Sequence, residues 1–453
     1  MPSMSETEML KAWDRRYFWH PFTQMQCYGD DDPWIIERAE GHYLYDVDGA
    51  RCLDAVASLW CNVHGHRHPR LDAALLEQLG KVAHTTALGA SNPPAIRLAK
   101  KLVECTPESL QHCFFSEDGS EAVEVAIKMA AQYWANIGRP EKHLFLTLDN
   151  AYHGDTVGAV SVGGFPLFHE VYGHLLFPTR RLPSPYVLQW EQCQGDAAQA
   201  AKLWLNTLEV VLLAEKDHIA ALILEGGVQG AAGILPFPPG VLSGAQKLCN
   251  THDVLLVVDE VATGFGRSGQ LFSCQKEQVE PDLLALGKGL SGGYLPIAAT
   301  LTSEAIYQAF LAPFGEAKQF YYGHTFTANP LAAAVALENL SIFAEGYLLS
   351  EIPNKIEKLR AGLEVFHHQP WAGEPRQFGL MAAIPLRDPA TGAAYPYGER
   401  VEYMVCKRAR EMGVYSRPLG DLLTIVPPLS VTEQEIDTIL HTLFDAMAEG
   451  RTQ

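Results

Sequence analysis

Five consecutive apolar residues, Val254-Leu-Leu-Val-Val258, run directly into Asp259-Glu260 and a glycine-bearing turn that ends at Arg267. A β-branched run without polar alternation must be buried on both faces, which predicts a central strand of a parallel sheet. Asp259 then stands at the carboxyl end of that strand, the rim where open α/β sheets place their ligands. A second run, Leu283-Leu-Ala-Leu286, ends in Gly287-Lys288-Gly289 and brings a lysine to the same rim. Further strands are expected at Cys113–Ser116, His143–Leu148 and Ile219–Leu224, with helices between some of them. The clearest helix spans Glu121–Trp134, where apolar residues recur at helical spacing among alanines. The fold class is therefore α/β: a mostly parallel, doubly wound sheet.

Several of these strand ends carry residues suited to one chemistry. A carboxylate and a lysine at neighbouring strand ends fit a pyridoxal phosphate site, the lysine holding the cofactor and Asp259 keeping its ring nitrogen protonated. Gly119 and Ser120 lie between a strand and a helix start, where free amides, the helix dipole and a hydroxyl suit a phosphate. Tyr152, after the next strand, offers a flat ring for stacking. Glu225 follows its strand as Asp259 follows its own, and Gly226-Gly-Val-Gln-Gly230 continues the turn. Taken singly, each has a plainer reading as an N-cap, a packed aromatic, a salt-bridged acid or a solvated lysine. Their convergence on one rim favours a site.

The rest of the sequence narrows the class. A net charge of −19 without a run of lysine or arginine excludes a nucleic-acid partner. Nine cysteines without Cys-x-x-Cys spacing read as unpaired thiols of a reducing compartment. With no signal-like leader and no apolar run near the roughly 20 residues of a membrane span, a cytoplasmic location is expected. His64, His66 and His68 alternate without a cysteine or carboxylate beside them and read as a polar loop, so no metal is expected.

Four segments follow. Residues 1–33 form an arm with one short helix; 34–75, with a hairpin turn at Asp48-Gly49, begin a small domain; 76–348 form the large cofactor-binding domain; 349–453 complete a smaller α+β domain.

The ordered set Ser116-Glu-Asp-Gly-Ser-Glu-Ala122, Tyr152-His-Gly154, Asp259 through Arg267, Gly287-Lys-Gly289 and His324-Thr325 resembles the class III pyridoxal-phosphate aminotransferases of fold type I, over nearly the whole chain. The resemblance implies Lys288 as the cofactor lysine, Asp259 on the ring nitrogen, and Gly119 and Ser120 on the phosphate. It also implies Tyr152 and Val261 on opposite ring faces, Gln229 on the ring hydroxyl, and a homodimer in which His324 and Thr325 reach the neighbouring subunit's phosphate. Within that class, Trp19–Met25, Ser58–Gly65, Arg417–Gly420 and Pro427-Pro428 are similar to the branch that aminates 8-amino-7-oxononanoate in biotin synthesis. That likeness implies a substrate pocket of Phe22, Trp60, Tyr152, Lys288, Gly323 and Arg417, with Arg417 clamping the carboxylate of the keto acid acceptor. The likeness further implies a small-molecule amino donor, lysine or S-adenosylmethionine. Phe22 replaces a common tyrosine and Leu59 a common tryptophan, which makes the pocket less suited to an adenosyl group and favours lysine. A general ω-aminotransferase of the same class is the alternative.

Overall fold

The computed structural model describes residues 4–449. Its centre is a seven-stranded sheet made of β1 (Leu110–Ser116), β2 (Leu144–Leu148), β3 (Thr179–Leu182), β4 (Ile219–Glu225), β5 (Leu255–Asp259), β6 (Leu283–Leu286) and β7 (Ala298–Ser303), in the order β1-β7-β6-β5-β4-β2-β3. Strands β3, β2, β4, β5 and β6 pair in parallel, and β7 runs antiparallel to both of its neighbours. All residues of β4, β5 and β6 are buried, as a strand covered by helices on both faces requires. The predicted strand at Val254–Val258 begins one residue later and takes in Asp259 as its last residue.

Two strands escaped the sequence. Thr179-Arg-Arg-Leu182 is an edge strand with its arginines exposed, so it lacks an apolar run. Ala298-Ala-Thr-Leu-Thr-Ser303 is rich in small residues because the helix Gly119–Asn136 lies close on it, with Thr300 Oγ1 donating to the Ala122 carbonyl at 2.7 Å.

Helices Gly119–Asn136, Ala197–Glu215, Val241–Thr251 and Pro330–Ala344 cover the sheet. Gly119–Asn136 turns Val123, Ala126, Ile127, Ala130 and Trp134 onto one apolar cluster with Ile223 and Val257; on the other side a larger cluster joins Leu222, Leu256 and Leu284 to Trp204, Leu242 and Leu340. Each fully buried leucine or isoleucine there contributes about 1.5–3 kcal/mol of transfer free energy.

Ile36–Glu40, Tyr43–Asp46 and Arg51–Asp54 form an antiparallel meander whose last strand pairs in parallel with Val414–Tyr415, so the two ends of the chain share one sheet. The hairpin expected at Asp48-Gly49 is present, with Gly49 at φ +85°. A second sheet contains Arg376–Phe378, Met381–Pro385, Leu422–Ile425 and Pro418–Leu419. The arm holds two helices, Glu6–Tyr17 and Met25–Asp30, rather than one. The first starts at a capping box between Ser5 and Glu8. Asp31 ties the arm to Tyr403 (2.7 Å) and Lys407 (3.1 Å). Among the described residues no single helix is long and apolar enough to cross a membrane.

Candidate active site

Register brings the acids together. Asp259 at the end of β5 lies opposite Glu225 on β4 and Ala285 on β6, three residues before Lys288. Asp259 is 6% exposed; its Oδ1 accepts from the Val261 amide (2.9 Å) and its Oδ2 from His153 Nδ1 (2.7 Å). His153 is itself buried, and its Nε2 has no partner among the described residues. His153 belongs to the Tyr152-His-Gly154 motif in the loop after β2, but nothing local in the sequence marks it as the partner of Asp259.

Lys288 is partly buried, with a φ of +41°, and its amine makes no hydrogen bond or ion pair among the described residues. Burial pushes that amine below its ordinary value, while the carboxylates of Asp259 and Glu225 oppose the shift. Its Nζ lies 5.2 Å from the Trp60 ring centroid. The glycines beside it serve packing. A side chain at Gly287 would stand 3.3 Å from Gly119 Cα, and one at Gly289 would stand 3.1 Å from Phe265 Cβ.

Gly119 and Ser120 open the first turn of their helix, N-capped by Asp118, which accepts from the Glu121 amide (3.0 Å). A Cβ at Gly119 would fall 2.4 Å from Val261 Cγ1. The phosphate-type turn, Val261 and the lysine loop thus meet at backbone distance. Ser120 Oγ accepts from the Asp155 amide (3.3 Å), and Tyr152 donates its hydroxyl to Asp155 (2.7 Å). Burial pushes the Tyr152 phenol above its ordinary value, so it stays neutral. Glu225 is 7% exposed and accepts from the amides of Gly230 (2.8 Å) and Tyr152 (3.3 Å); burial pushes it up to about 7. The Gln229 side chain accepts from Ser184 and donates to the Asp149 carbonyl (2.8 Å), two partners the sequence did not reveal.

The remaining residues of the long motif are structural. Glu260 is fully buried and accepts from the amides of Ser273 and Cys274, each at 2.6 Å. Arg267, 2% exposed, donates to the carbonyls of Pro427 and Asn62 and so clamps distant segments onto the sheet.

Arg417 is partly buried, and its guanidinium has no ion-pair partner among the described residues. Phe22 is 62% exposed and packs edge-on against Phe168 at 5.3 Å, which in turn borders Tyr152. Gly323, His324 and Thr325 are exposed in the single chain. His324 Nδ1 donates to Glu117 (2.9 Å) and lies 2.8 Å from Glu121. Burial and the adjacent Glu121 push Glu117 up to about 7; burial works against charge on His324, but Glu117 and Glu121 raise it. These three offer ligand atoms within 4.8 Å of one another, a grouping their mutual hydrogen bonds explain. The alternating histidines each have their own surroundings: His64 bonds Asn339 (2.7 Å), His66 bonds Asp54 (3.2 Å), and His68 precedes the helix Pro69–Leu79 without a side-chain capping bond.

A lysine amine without a hydrogen bond or ion pair among the described residues, a buried carboxylate held by a histidine, and a glycine turn opening a helix meet at one sheet rim, the grouping of an enzyme site. The chain belongs to the class III aminotransferases: residues 27–447 match the family Aminotransferase class-III. It is 52% identical to the adenosylmethionine-8-amino-7-oxononanoate aminotransferase of Aquifex aeolicus, covering 98% of both chains, and 45% identical to that of Geobacter sulfurreducens, covering 97% of both. Among solved structures it resembles the Methanocaldococcus jannaschii enzyme of that name (TM-score 0.92, 44% identity, 97% of this chain and 99% of that one). It also resembles an ω-transaminase of Pseudomonas jessenii in complex with PMP (TM-score 0.91, 34% identity, 97% and 98%). The expected α/β, fold type I architecture agrees with these likenesses.

Proposed function

We propose that this aminotransferase transfers an amino group to 8-amino-7-oxononanoate, giving 7,8-diaminononanoate for biotin synthesis, with pyridoxal phosphate as cofactor and in the form of a homodimer with shared sites. The observation that carries the reading is the Lys288 amine, without a hydrogen bond or ion pair among the described residues, at the rim shared with Asp259 in a chain that matches relatives of that name over nearly its whole length. The residues fit the cofactor. Lys288 has the depressed basicity a nucleophilic amine needs, and the Gly119 turn is open where a side chain would strike Val261. When bound, the cofactor supplies an electron sink that stabilises negative charge on the substrate carbon.

The chain's own residues do the rest. Lys288 holds the cofactor and moves the proton at the substrate carbon, which its flexible stem and lowered basicity permit. Asp259, fixed by His153 and the Val261 amide, would offer its carboxylate to the ring nitrogen. Tyr152 and Val261 would confine the ring, and Gln229, held by Ser184, would meet the ring hydroxyl. Gly119 and Ser120 bind the phosphate, joined by His324 and Thr325 of the second copy. Trp60, Phe22 and Gly323 line the substrate pocket, and Arg417 receives the acceptor's carboxylate in a bidentate pair.

For the donor, the names of the relatives favour S-adenosylmethionine over lysine. Phe22 and Leu59, on which the case for lysine stood, are 62% and 52% exposed in the single chain. Separate half-reactions test this: the cofactor absorbance is followed after adding each donor. Bleaching by S-adenosylmethionine and not by millimolar lysine is expected. Bleaching by lysine alone overturns the donor assignment, and a response only to simple amines favours the ω-transaminase reading, which the Pseudomonas jessenii likeness supports.

A further inference from the structure

Four consecutive non-glycine residues, Ala57, Ser58, Leu59 and Trp60, have positive φ (+47°, +54°, +109° and +67°). L-residues visit this region singly, at roughly 1–2 kcal/mol each, so a run of four needs sustained support. The support is buried. Asp54, fully inaccessible at the end of its strand, accepts from the Val56 amide on Oδ1 (3.2 Å), and from the Ser58 hydroxyl (2.7 Å) and His66 Nε2 (3.2 Å) on Oδ2. The Val56 carbonyl then takes the amides of Leu59 (3.0 Å) and Trp60 (2.8 Å), and the Ala57 carbonyl those of Cys61 and Asn62 (both 3.1 Å). Below the turn, Asn62 is pinned by Arg267, which donates to its carbonyl (3.1 Å), and by Gly293, where a Cβ would come within 2.9 Å of Asn62 Cα. At its end the turn presents the Trp60 indole to the Lys288 amine on one side and to Gly230, where a Cβ would lie 3.1 Å from the ring, on the other.

We infer that Asp54 and Ser58 are positioning residues that hold this left-handed turn and thereby fix Trp60 as the wall of the acceptor pocket. The inference rests on the proposed reaction for the identity of the acceptor, and on geometry alone for the turn. The Ser58 side chain is exposed in the single chain apart from this bond, so its variants are expected to fold without a core defect. Ser58→Ala removes the hydroxyl and leaves an L-residue in left-handed backbone without its bond. Ser58→Gly removes the same hydroxyl but occupies φ +54° without strain.

In the holoenzyme, Ser58→Ala should raise KM for 8-amino-7-oxononanoate about tenfold with kcat within about twofold, and Ser58→Gly should recover most of the loss. Hydrogen exchange of the Trp60, Cys61 and Asn62 amides should quicken about tenfold in the alanine variant and less in the glycine variant. Wild-type KM and exchange in Ser58→Ala overturn the inference. Equal impairment of the two variants also overturns it, because the hydroxyl would then act by itself. If the wild-type enzyme does not aminate this keto acid, the proposed function fails, while the exchange comparison still decides whether Ser58 holds the turn.

Discussion

Gly119→Ala places a methyl 2.4 Å from Val261 Cγ1, 3.0 Å from Cγ2 and 3.3 Å from Cβ. Ordinary contact begins near 3.4 Å, so turn and valine must separate by about 1 Å, and overpacking of that size costs roughly 1–3 kcal/mol. Helix propensity alone would favour alanine there by up to about 1 kcal/mol, so any loss is steric. Val261 cannot yield freely, because its amide is bonded to Asp259 Oδ1 at 2.9 Å. The strain therefore falls on the phosphate turn and on the acid together. At about 1.4 kcal/mol per tenfold, pyridoxal phosphate should bind some fivefold to 150-fold more weakly. The assay is a titration of apoenzyme followed by cofactor absorbance, with melting measured with and without cofactor. Val261→Ala removes both methyls and should restore most of the affinity lost to Gly119→Ala, giving a double-mutant coupling of about 1 kcal/mol or more. Wild-type affinity in Gly119→Ala, or strict additivity in the double variant, would refute the steric reasoning.

Lys288→Ala should abolish turnover while leaving cofactor bound through the remaining contacts; wild-type rates in a steady-state assay would remove Lys288 from the mechanism. Asp259→Asn removes the charge that His153 orients and should lower kcat more than about a hundredfold, and a loss under about threefold would count against that role. Mixing inactive Lys288→Ala and Thr325→Ala subunits should return partial activity if Thr325 serves the neighbouring site, since one site of the heterodimer then carries both lesions and the other none. Glu435 is held down to about 2 although burial opposes it, chiefly by His42 at 2.8 Å and by the Thr432 amide. Its ordinary value is 4.5, so its stabilising contribution is complete above that pH and lost as pH falls from 4.5 toward 2. Glu435→Gln should flatten acid unfolding over that window in a circular-dichroism titration.

The buried centre of the sheet was legible because β4, β5 and β6 are continuous apolar runs that end in charge. Strands β3 and β7 were not: one is an exposed edge, and the other is built of small residues whose reason is the helix packed on it, which no local pattern reveals. The same divide runs through the site. Asp259, Glu225 and Lys288 stand out as polar residues that terminate apolar strands, whereas His153 and Ser184 matter through partners 106 and 45 residues away. The left-handed turn before Trp60 was also invisible, since Ala-Ser-Leu-Trp carries no glycine to announce positive φ.

The antiparallel strand β7 has a consequence for how the molecule comes together. It pairs Ala298 with Ser116 and so inserts a late segment of the sheet between β1 and the lysine strand β6. Until this late segment arrives, β1 has no neighbour, and the Gly119 turn cannot meet the Gly287 loop. Sequence separation of this size slows folding. If pyridoxal phosphate is the cofactor, its absorbance is expected to return during refolding only once this seam, the most distant in sequence within the sheet, has closed.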